Sequence, residues 1–265
     1  MDEQWDWPSA MRAVAARFRG EEGVYLQFGD SLTLASPNQQ WATRGLGHTE
    51  AERAFLRWAH AGRRDSRDGW YLASAATGPP DEPPRARTAG VGCSSRVLLM
   101  GGRGLPRLLQ MIAEFRPQLA LYAVGMSDIL RDTPCDEYVG NVAAAVDLLL
   151  EHAVVPIIST ITPARGRDAQ VADANAALRA LARTRCVPLL DIHAQMQQRS
   201  PDVLSYLDDD GVHLTWDPPI GPPTPENLLK SGYLLRCCLT VRKGMEVRER
   251  VLEPLPTRPI EAGRQ

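Results

Sequence analysis

Short apolar runs without polar alternation recur along this chain, and segments with helical periodicity separate them. The runs are residues 23–28, 69–75, 119–125, 154–160 and 187–192. A short strand that is apolar on both faces is typical of a parallel sheet covered by helices on both sides. The alternation therefore predicts an α/β protein with a five-stranded, mostly parallel sheet in a three-layer α/β/α sandwich, and with extra N- and C-terminal helices.

The length and composition favour a single domain. The chain has 265 residues, of which 44% are hydrophobic, which is enough for one large core. We predict one domain over residues 1–265, with a core at about 22–216 and a C-terminal helical extension at about 224–253. Residues 254–265 are predicted to be disordered. The extension either packs against the core or forms the face of a homodimer, and the sequence leaves both alternatives open.

Charge and hydropathy exclude several classes of protein. The net charge is −2 and the pI is about 6.2, so no basic surface for nucleic acid is expected. There is no run of roughly 18 apolar residues that could span a membrane. The acidic N-terminus lacks a signal peptide, so we expect a cytoplasmic protein, unless the start is truncated. The five cysteines form no C-x-x-C pair, which argues against a zinc site or a disulfide framework.

Polar residues follow two of the predicted strands directly. Gly29-Asp30-Ser31 ends the first apolar run, and Gly125-Met126-Ser127-Asp128 ends the third. In parallel α/β sheets, functional groups gather at the carboxyl ends of the strands. Ser31 is therefore a candidate nucleophile, although a hydroxyl or acid in this position also caps the helix that follows a strand.

Among the five histidines, His213 has the most suggestive surroundings. It lies in the acidic, turn-like stretch "LDDDGVHLT", three residues after Asp210. An aspartate at this spacing can accept a hydrogen bond from the imidazole and orient it as a general base. Taken alone, the pattern is more typical of a turn beside a surface histidine.

The combination of these motifs resembles the GDSL hydrolases, also called the SGNH hydrolase superfamily. The resemblance rests on "FGDSLT", a glycine turn at 90–92, "GMSD" at 125–128 and "DGVH" at 210–213, and it covers about residues 22–216. It implies a flavodoxin-like α/β/α sandwich that carries a serine esterase or lipase activity.

The resemblance also implies roles for individual residues. Ser31 matches the nucleophile, and its backbone N–H matches one oxyanion donor. Gly92 matches the glycine whose N–H is a second donor. Asp210 and His213 match the acid and the base of a catalytic triad.

One position departs from the family pattern. The family has asparagine in G-x-N-D, whose side-chain amide is the third oxyanion donor, whereas Ser127 stands there in this chain. A hydroxyl can donate, but its arm is shorter and it has one proton only. Asp30 and Asp128 are expected to brace the loops that carry the catalytic groups.

The implied function is a serine esterase that acts on short-chain carboxylic esters, with acetyl esters of carbohydrates slightly favoured. The expected partner is a small-molecule ester, and neither a metal nor an organic cofactor is expected. The alternative is a weakly active or inactive protein of the same fold that binds a glycan or an acyl ligand. Aromatic residues that could stack on a sugar, or could simply pack in the core and loops, are Trp41, Trp70, Tyr71 and Trp216.

Overall fold

A four-stranded parallel sheet forms the centre of the molecule. The computed structural model describes residues 5–35, 37–59 and 88–253. The strands lie side by side in chain order: β1 (Tyr25–Gly29), β2 (Leu119–Ala123), β3 (Val155–Ser159) and β4 (Leu189–Leu190). The register aligns Tyr25 with Leu119, and Leu119 with Val155. The sheet is flanked by helices, so the α/β fold expected for the SGNH hydrolases is confirmed.

The strand count differs from the prediction. The described residues form four strands rather than five, and the predicted strand at 69–75 lies outside the described residues. The described chain resumes at residue 88, beside the edge strand β1. There Ala89 makes an isolated parallel bridge with Gly29. This bridge brings the glycine turn at 90–92 close to the carboxyl end of β1.

Helices connect the strands and cover the sheet. In chain order they are α1 (Trp7–Ala15), α2 (Ser31–Leu34), α3 (Pro37–Arg44), α4 (Glu50–Ala59), α5 (Ser95–Met100), α6 (Leu108–Phe115), α7 (Met126–Ile129), α8 (Cys135–Glu151), α9 (Asp168–Thr184), α10 (Ile192–Arg199), α11 (Pro225–Lys230) and α12 (Gly232–Val247). A 3₁₀ turn at Val203–Tyr206 and a π-helical turn at Arg248–Leu252 complete the description. None of the helices in the described ranges is long and apolar enough to cross a membrane.

Local sequence signals account for several helix starts. Thr49 and Glu52 form a reciprocal capping box, in which the Glu52 N–H donates to Thr49 Oγ1 and the Thr49 N–H donates to the Glu52 carboxylate. Asp6 caps α1, since its carboxylate accepts a hydrogen bond from the Ser9 N–H. The sequence pattern after Pro8 predicts a helix that is closed by Gly20, but α1 ends at Ala15.

The C-terminal extension is two helices, α11 and α12. The sequence predicts a last helix at about 226–252 in which Gly232 and Gly244 are the candidate points of interruption. The break lies at Ser231, whose hydroxyl caps α12 by accepting the Leu234 N–H at 3.2 Å. Gly232 is also held from outside the helix, because its N–H donates to Thr215 Oγ1 at 2.9 Å. Gly244 does not interrupt α12; an added Cβ there would lie 2.6 Å from Phe55 and 2.7 Å from Tyr25. This close approach seats α12 against α4 and β1, while a homodimer through the extension stays a prediction.

Candidate active site

The turn after β1 holds Ser31 at the start of a short helix. Asp30 caps α2 by accepting the Leu32 N–H on Oδ1 at 3.1 Å. Gly29 has no space for a side chain, because an added Cβ would collide with Thr33 and lie 2.7 Å from the Ala123 carbonyl. Ser31 begins a helix, so its own N–H has no partner within the helix. Both the hydroxyl and the backbone N–H of Ser31 therefore lie at the carboxyl end of the sheet.

The acidic loop near the C-terminus holds His213 through Asp210. Asp210 Oδ1 accepts the backbone N–H groups of Val212 and His213, both at 2.8 Å. Its other oxygen, Oδ2, lies 2.5 Å from His213 Nδ1. Gly211 makes the tight turn possible with a φ of +72°. The D-x-x-H spacing thus produces a turn in which a single carboxylate fixes both the backbone and the imidazole of His213.

The two segments, 182 residues apart, meet at a hydrogen bond. His213 Nε2 lies 3.1 Å from Ser31 Oγ. An ionised carboxylate only accepts hydrogen bonds, so the proton of a neutral imidazole is on Nδ1 and Nε2 accepts from the Ser31 hydroxyl. A hydroxyl, an imidazole and a carboxylate linked in this order can transfer the hydroxyl proton to the imidazole as the oxygen attacks an electrophile.

Asp210 is held in its ionised form. Burial alone would raise the pKa of its carboxyl, but the hydrogen bonds from the His213 ring and from two backbone N–H groups outweigh this and lower the pKa from 3.8 to about 2. Asp210 therefore carries a full negative charge at neutral pH. That charge orients the imidazole and stabilises the imidazolium that forms on proton transfer.

Two buried aspartates tie neighbouring strand ends together. Asp30 Oδ2 accepts the Met126 N–H at 3.1 Å, which links the end of β1 to the end of β2. Asp128 accepts the N–H of Ser95 at 2.9 Å and its hydroxyl at 2.8 Å, which links the same region to α5. Each aspartate therefore joins two segments of the chain, and its role in bracing catalytic groups stays a prediction.

Burial raises the pKa of both aspartates. For Asp30, the nearby Arg236 guanidinium and the N–H groups of Leu32 and Met126 act in the opposite direction. For Asp128, the opposing contributions come first from the two hydrogen bonds of Ser95. The hydrogen bonds and the buried cation thus reduce the cost of burying these carboxyl groups.

Two further predicted oxyanion donors lie near the same edge of the sheet. Gly92 has a φ of +66°, and its carbonyl accepts a hydrogen bond from Arg131 at 2.8 Å. Ser127 lies in α7, directly after β2, and is 6% exposed. Since β2 pairs with β1, Ser127 follows the strand next to the one that carries Ser31. The assignment of Gly92 and Ser127 to an oxyanion hole stays a prediction.

Other histidines and the predicted aromatic residues have varied surroundings, and Trp70 and Tyr71 lie outside the described residues. His193 lies in α10, and His152 ends α8 with its ring bonded to the Leu148 carbonyl. Trp41 is fully buried and donates to the Leu46 carbonyl, so it packs in the core rather than facing a substrate. Trp216 is 56% exposed. The described ranges contain no group of three or more His, Cys, Asp or Glu side chains suited to a metal ion.

Sequence reasoning missed Arg236. This arginine in α12 is 4% exposed, and its Nη2 donates to Thr33 Oγ1 at 2.7 Å, two residues beyond Ser31. The available signal was a lone cation inside the apolar stretch "YLLRCCL". A charged residue in such a stretch indicates a buried polar contact, but not its partner.

Comparisons with known proteins identify relatives of this architecture. A sequence model of the GDSL-like lipase/acylhydrolase family matches residues 27–217. No curated protein matches the chain. An acetyl esterase structure, an S10A mutant with an acetate ion, has a TM-score of 0.59 at 13% identity and covers 85% of this chain and 98% of its own.

Two further solved structures have the same fold. A carbohydrate esterase of family 3 from Talaromyces cellulolyticus has a TM-score of 0.58 at 13% identity and covers 85% of this chain and 98% of its own. A GDSL-like lipase from Bacteroides thetaiotaomicron has a TM-score of 0.54 at 16% identity and covers 90% of this chain and 97% of its own. At these identities the likeness is one of fold.

Proposed function

Because the chain belongs to the GDSL-like lipase/acylhydrolase family, we propose that it is a serine esterase that hydrolyses short-chain carboxylic esters through an acyl-enzyme intermediate. The observation that carries the proposal is the continuous chain from Ser31 Oγ to His213 Nε2 at 3.1 Å and from His213 Nδ1 to Asp210 Oδ2 at 2.5 Å. Residues 182 positions apart have no local reason to meet in this geometry.

The mechanism begins with attack of Ser31 Oγ on the ester carbonyl, while His213 Nε2 takes the hydroxyl proton. The oxyanion that forms is held by the N–H groups of Ser31 and Gly92, with the Ser127 hydroxyl as the third donor. Collapse of this intermediate expels the alcohol, which receives the proton from His213. A water molecule, activated by His213, then attacks the acyl-enzyme and releases the acid and the free Ser31. Every proton moves between Ser31, His213, water and the products.

The preference for short acyl groups is supported by the location of the large cavity. A cavity of about 870 Å³ lies between α9, α10 and α12, and its lining includes none of the predicted site residues. Its lining is mixed, with charged side chains such as Arg179 and Glu246 beside apolar ones such as Leu239. Within the described residues, this cavity is therefore not a tunnel that leads from Ser31.

The preference for acetylated sugars is supported by Trp216. This indole is 56% exposed and follows His213 by three residues. An exposed aromatic face next to a catalytic loop is suited to stacking on a sugar ring. The acetyl and carbohydrate esterases share the fold with this chain, which is an analogy and not a demonstration of substrate.

The proposed function is tested by p-nitrophenyl acetate turnover and fluorophosphonate labelling of wild type, Ser31→Ala and Ser205→Ala. Ser205 is an exposed serine in the 3₁₀ turn and is the matched control. Wild type and Ser205→Ala are expected to be labelled and active, and Ser31→Ala to lose labelling and about 10⁶ of kcat. Equal turnover and labelling in Ser31→Ala would refute the proposal.

Substrate class is tested with acetylated xylose, ethyl acetate and p-nitrophenyl esters of increasing chain length. We expect kcat/KM to fall as the acyl chain lengthens. Trp216→Ala is expected to raise KM for acetylated xylose and to leave the kinetics on ethyl acetate unchanged, because only the sugar stacks. An equal effect on both acetates would remove the sugar from the proposal.

A second candidate is a non-catalytic protein of this fold that binds a glycan or an acyl ligand. The serine at position 127, in place of the family's asparagine, is the observation that favours it. The labelling experiment separates the two candidates, since an unreactive Ser31 in folded wild-type protein supports the binding protein.

A further inference from the structure

A buried cation lies behind the nucleophile, on a helix outside the family match. Arg236 belongs to α12, whereas the match to the family ends at residue 217. The side chain is 4% exposed, although a guanidinium stays charged in every protein environment. Burying such a charge costs several kcal/mol unless nearby groups compensate it. The groups that surround the Arg236 guanidinium therefore indicate its role.

The hydrogen bond of Arg236 is directed at the helix that carries Ser31. Its Nη2 donates to Thr33 Oγ1 at 2.7 Å. Thr33 Oγ1 is also 3.5 Å from the Ala123 carbonyl at the end of β2. Thr33 is packed so closely on Gly29 that a methyl group at position 29 would collide with it. A shift of Arg236 would therefore be transmitted to the turn that contains Ser31.

Arg236 also lies near Asp30, without a direct ion pair between the two side chains. The two side chains attract each other electrostatically and line the same small cavity, of about 20 Å³. Asp30 is 1% exposed and holds the N–H groups of Leu32 and Met126, on either side of the site. In a poorly solvated interior this attraction is weakly screened. Arg236 thus favours the ionised Asp30 that accepts both N–H groups.

The same helix also holds the loop of the general base. Thr215, two residues after His213, accepts the Gly232 N–H on Oγ1 at 2.9 Å and the Tyr233 N–H on its carbonyl at 3.0 Å. The start of α12 therefore contacts the base loop, and Arg236, one turn later, contacts the nucleophile helix. Ser31 and His213, which are 3.1 Å apart, therefore lie in two segments that are both hydrogen-bonded to α12.

We propose that Arg236 is a positioning residue for the nucleophile, which makes α12 part of the catalytic unit. It acts through Thr33 and Asp30 and does not touch the substrate. The inference rests on the proposed function, since it concerns the same hydroxyl. A small displacement of a reacting group is costly, at up to about 10²-fold in rate for roughly 1 Å.

The first experiment compares Arg236→Met and Arg236→Lys with Arg242→Ala in the full chain. Arg242 lies on the same helix but pairs with the buried Glu52 at 2.9 Å, so its removal disturbs α12 away from the site. We expect Arg236→Met to lower kcat about 10–100-fold with KM changed less than about twofold. Arg236→Lys should lose less, since it keeps the charge, and Arg242→Ala should lower Tm but keep kcat. Wild-type kcat in folded Arg236→Met, or an equal loss of kcat in Arg242→Ala, overturns the inference.

A double-mutant cycle keeps the inference testable if Arg236→Met does not fold. Thr33→Val removes the hydroxyl with little change in shape, and it is combined with Arg236→Lys. Residues that act through one contact are non-additive, so the double variant should lose no more kcat than the worse single variant. Additive losses would overturn the inference.

Fluorophosphonate labelling rates separate failure of this inference from failure of the proposed function. If wild type is labelled and the Arg236 variants react at the wild-type rate, only the inference fails. If folded wild type shows neither labelling nor turnover, the proposed function fails and the inference fails with it. Slower labelling of Arg236→Lys, with wild-type labelling of Arg242→Ala, supports both.

Discussion

Ser127 is the residue at which the candidate site departs from the family pattern. It follows β2 and is almost buried, but its side chain is one donor on a short arm. In the proposed oxyanion hole, the backbone donors of Ser31 and Gly92 depend on the path of the chain, whereas the third donor depends on the Ser127 side chain. Substitution at position 127 therefore changes one oxyanion contact without changing the backbone.

We expect Ser127→Ala to lower kcat by about 10² with little change in KM, because an oxyanion donor acts mainly in the transition state. Ser127→Asn, which restores the amide of the family pattern, should exceed the wild-type kcat. Both are measured on p-nitrophenyl acetate, with Tm as the control for folding. A Ser127→Ala enzyme with wild-type kcat would show that the hydroxyl does not donate.

The lowered pKa of Asp210 makes the folding stability of the protein depend on pH in the acidic range. Its folded-state pKa is about 2, below the ordinary value of 3.8. A lowered pKa contributes stability that is present in full above the unfolded-state pKa and is lost as the pH falls through the folded-state pKa. The contribution of Asp210 should therefore be intact near pH 5 and decline between about pH 4 and pH 2.

The measurement is urea unfolding of wild type and Asp210→Asn at about pH 5 and about pH 3. The difference in unfolding free energy between the two proteins should be smaller at the lower pH. Because Asp210 is half exposed, screening by solvent keeps the difference modest. A difference that is the same at both pH values would contradict the assigned shift.

At the scale of elements, the turn between β1 and α2 determines where Ser31, the proposed nucleophile, lies. The helix starts directly after the strand, and Thr33 folds back over Gly29 and towards Ala123. Any side chain at position 29 would push α2 away from the sheet. The glycine of the G-D-S-L motif is therefore needed for packing and not for an unusual backbone angle.

Gly29→Ala is expected to destabilise the protein by about 1–3 kcal/mol through overpacking and to lower kcat in the protein that remains folded. Gly140→Ala is the control, because Gly140 lies inside α8 with nothing within 4 Å of an added Cβ. That substitution should stabilise the protein by about 0.4–1 kcal/mol. Thermal unfolding and kcat report both effects, and a neutral Gly29→Ala would contradict the packing argument.

The sequence predicts local features better than contacts between distant segments. The spacing of Thr49 and Glu52 predicts a capping box, and it forms because it depends on residues three apart. Gly232 indicated a possible interruption of the last helix, but the contacts that Thr215 and Leu214 make with Gly232 come from a distant part of the chain and were not predicted. The hydrophobic periodicity of a segment does not predict its contacts with residues that are distant in the sequence.

At the scale of the whole molecule, α12 joins the two halves of the site to the core. It packs beside Tyr25 and Phe55, bonds to Thr215 and buries Arg236 under the nucleophile turn. The family match ends at residue 217, before this helix begins. The segment that matches the family model is therefore shorter than the part of the chain that packs together with α12.

A chain that ends at residue 223 is expected to lose cooperative folding. It would lack the buried side chains of α12, the larger apolar ones being Tyr233, Leu234, Leu235, Val241 and Val247. At about 1.5–3 kcal/mol for each buried side chain, their loss removes roughly 8–15 kcal/mol, which is comparable to the whole stability of an ordinary domain. Circular dichroism and urea unfolding test this against the full chain, and a sharp wild-type transition in the truncated chain would contradict it.

The sequence by itself determined the alternation of strands and helices, the positions of Ser31, Asp210 and His213, and the family to which they point. These depend on short-range patterns: an apolar run ending in G-D-S-L, and an aspartate three residues before a histidine. Only the tertiary structure decided that Ser31 and His213 lie within hydrogen-bond distance, and that Arg236 and Thr215 connect both to one helix. The physical reason is that such contacts join residues many positions apart, and their partners are chosen by the packing of the whole chain rather than by any local preference.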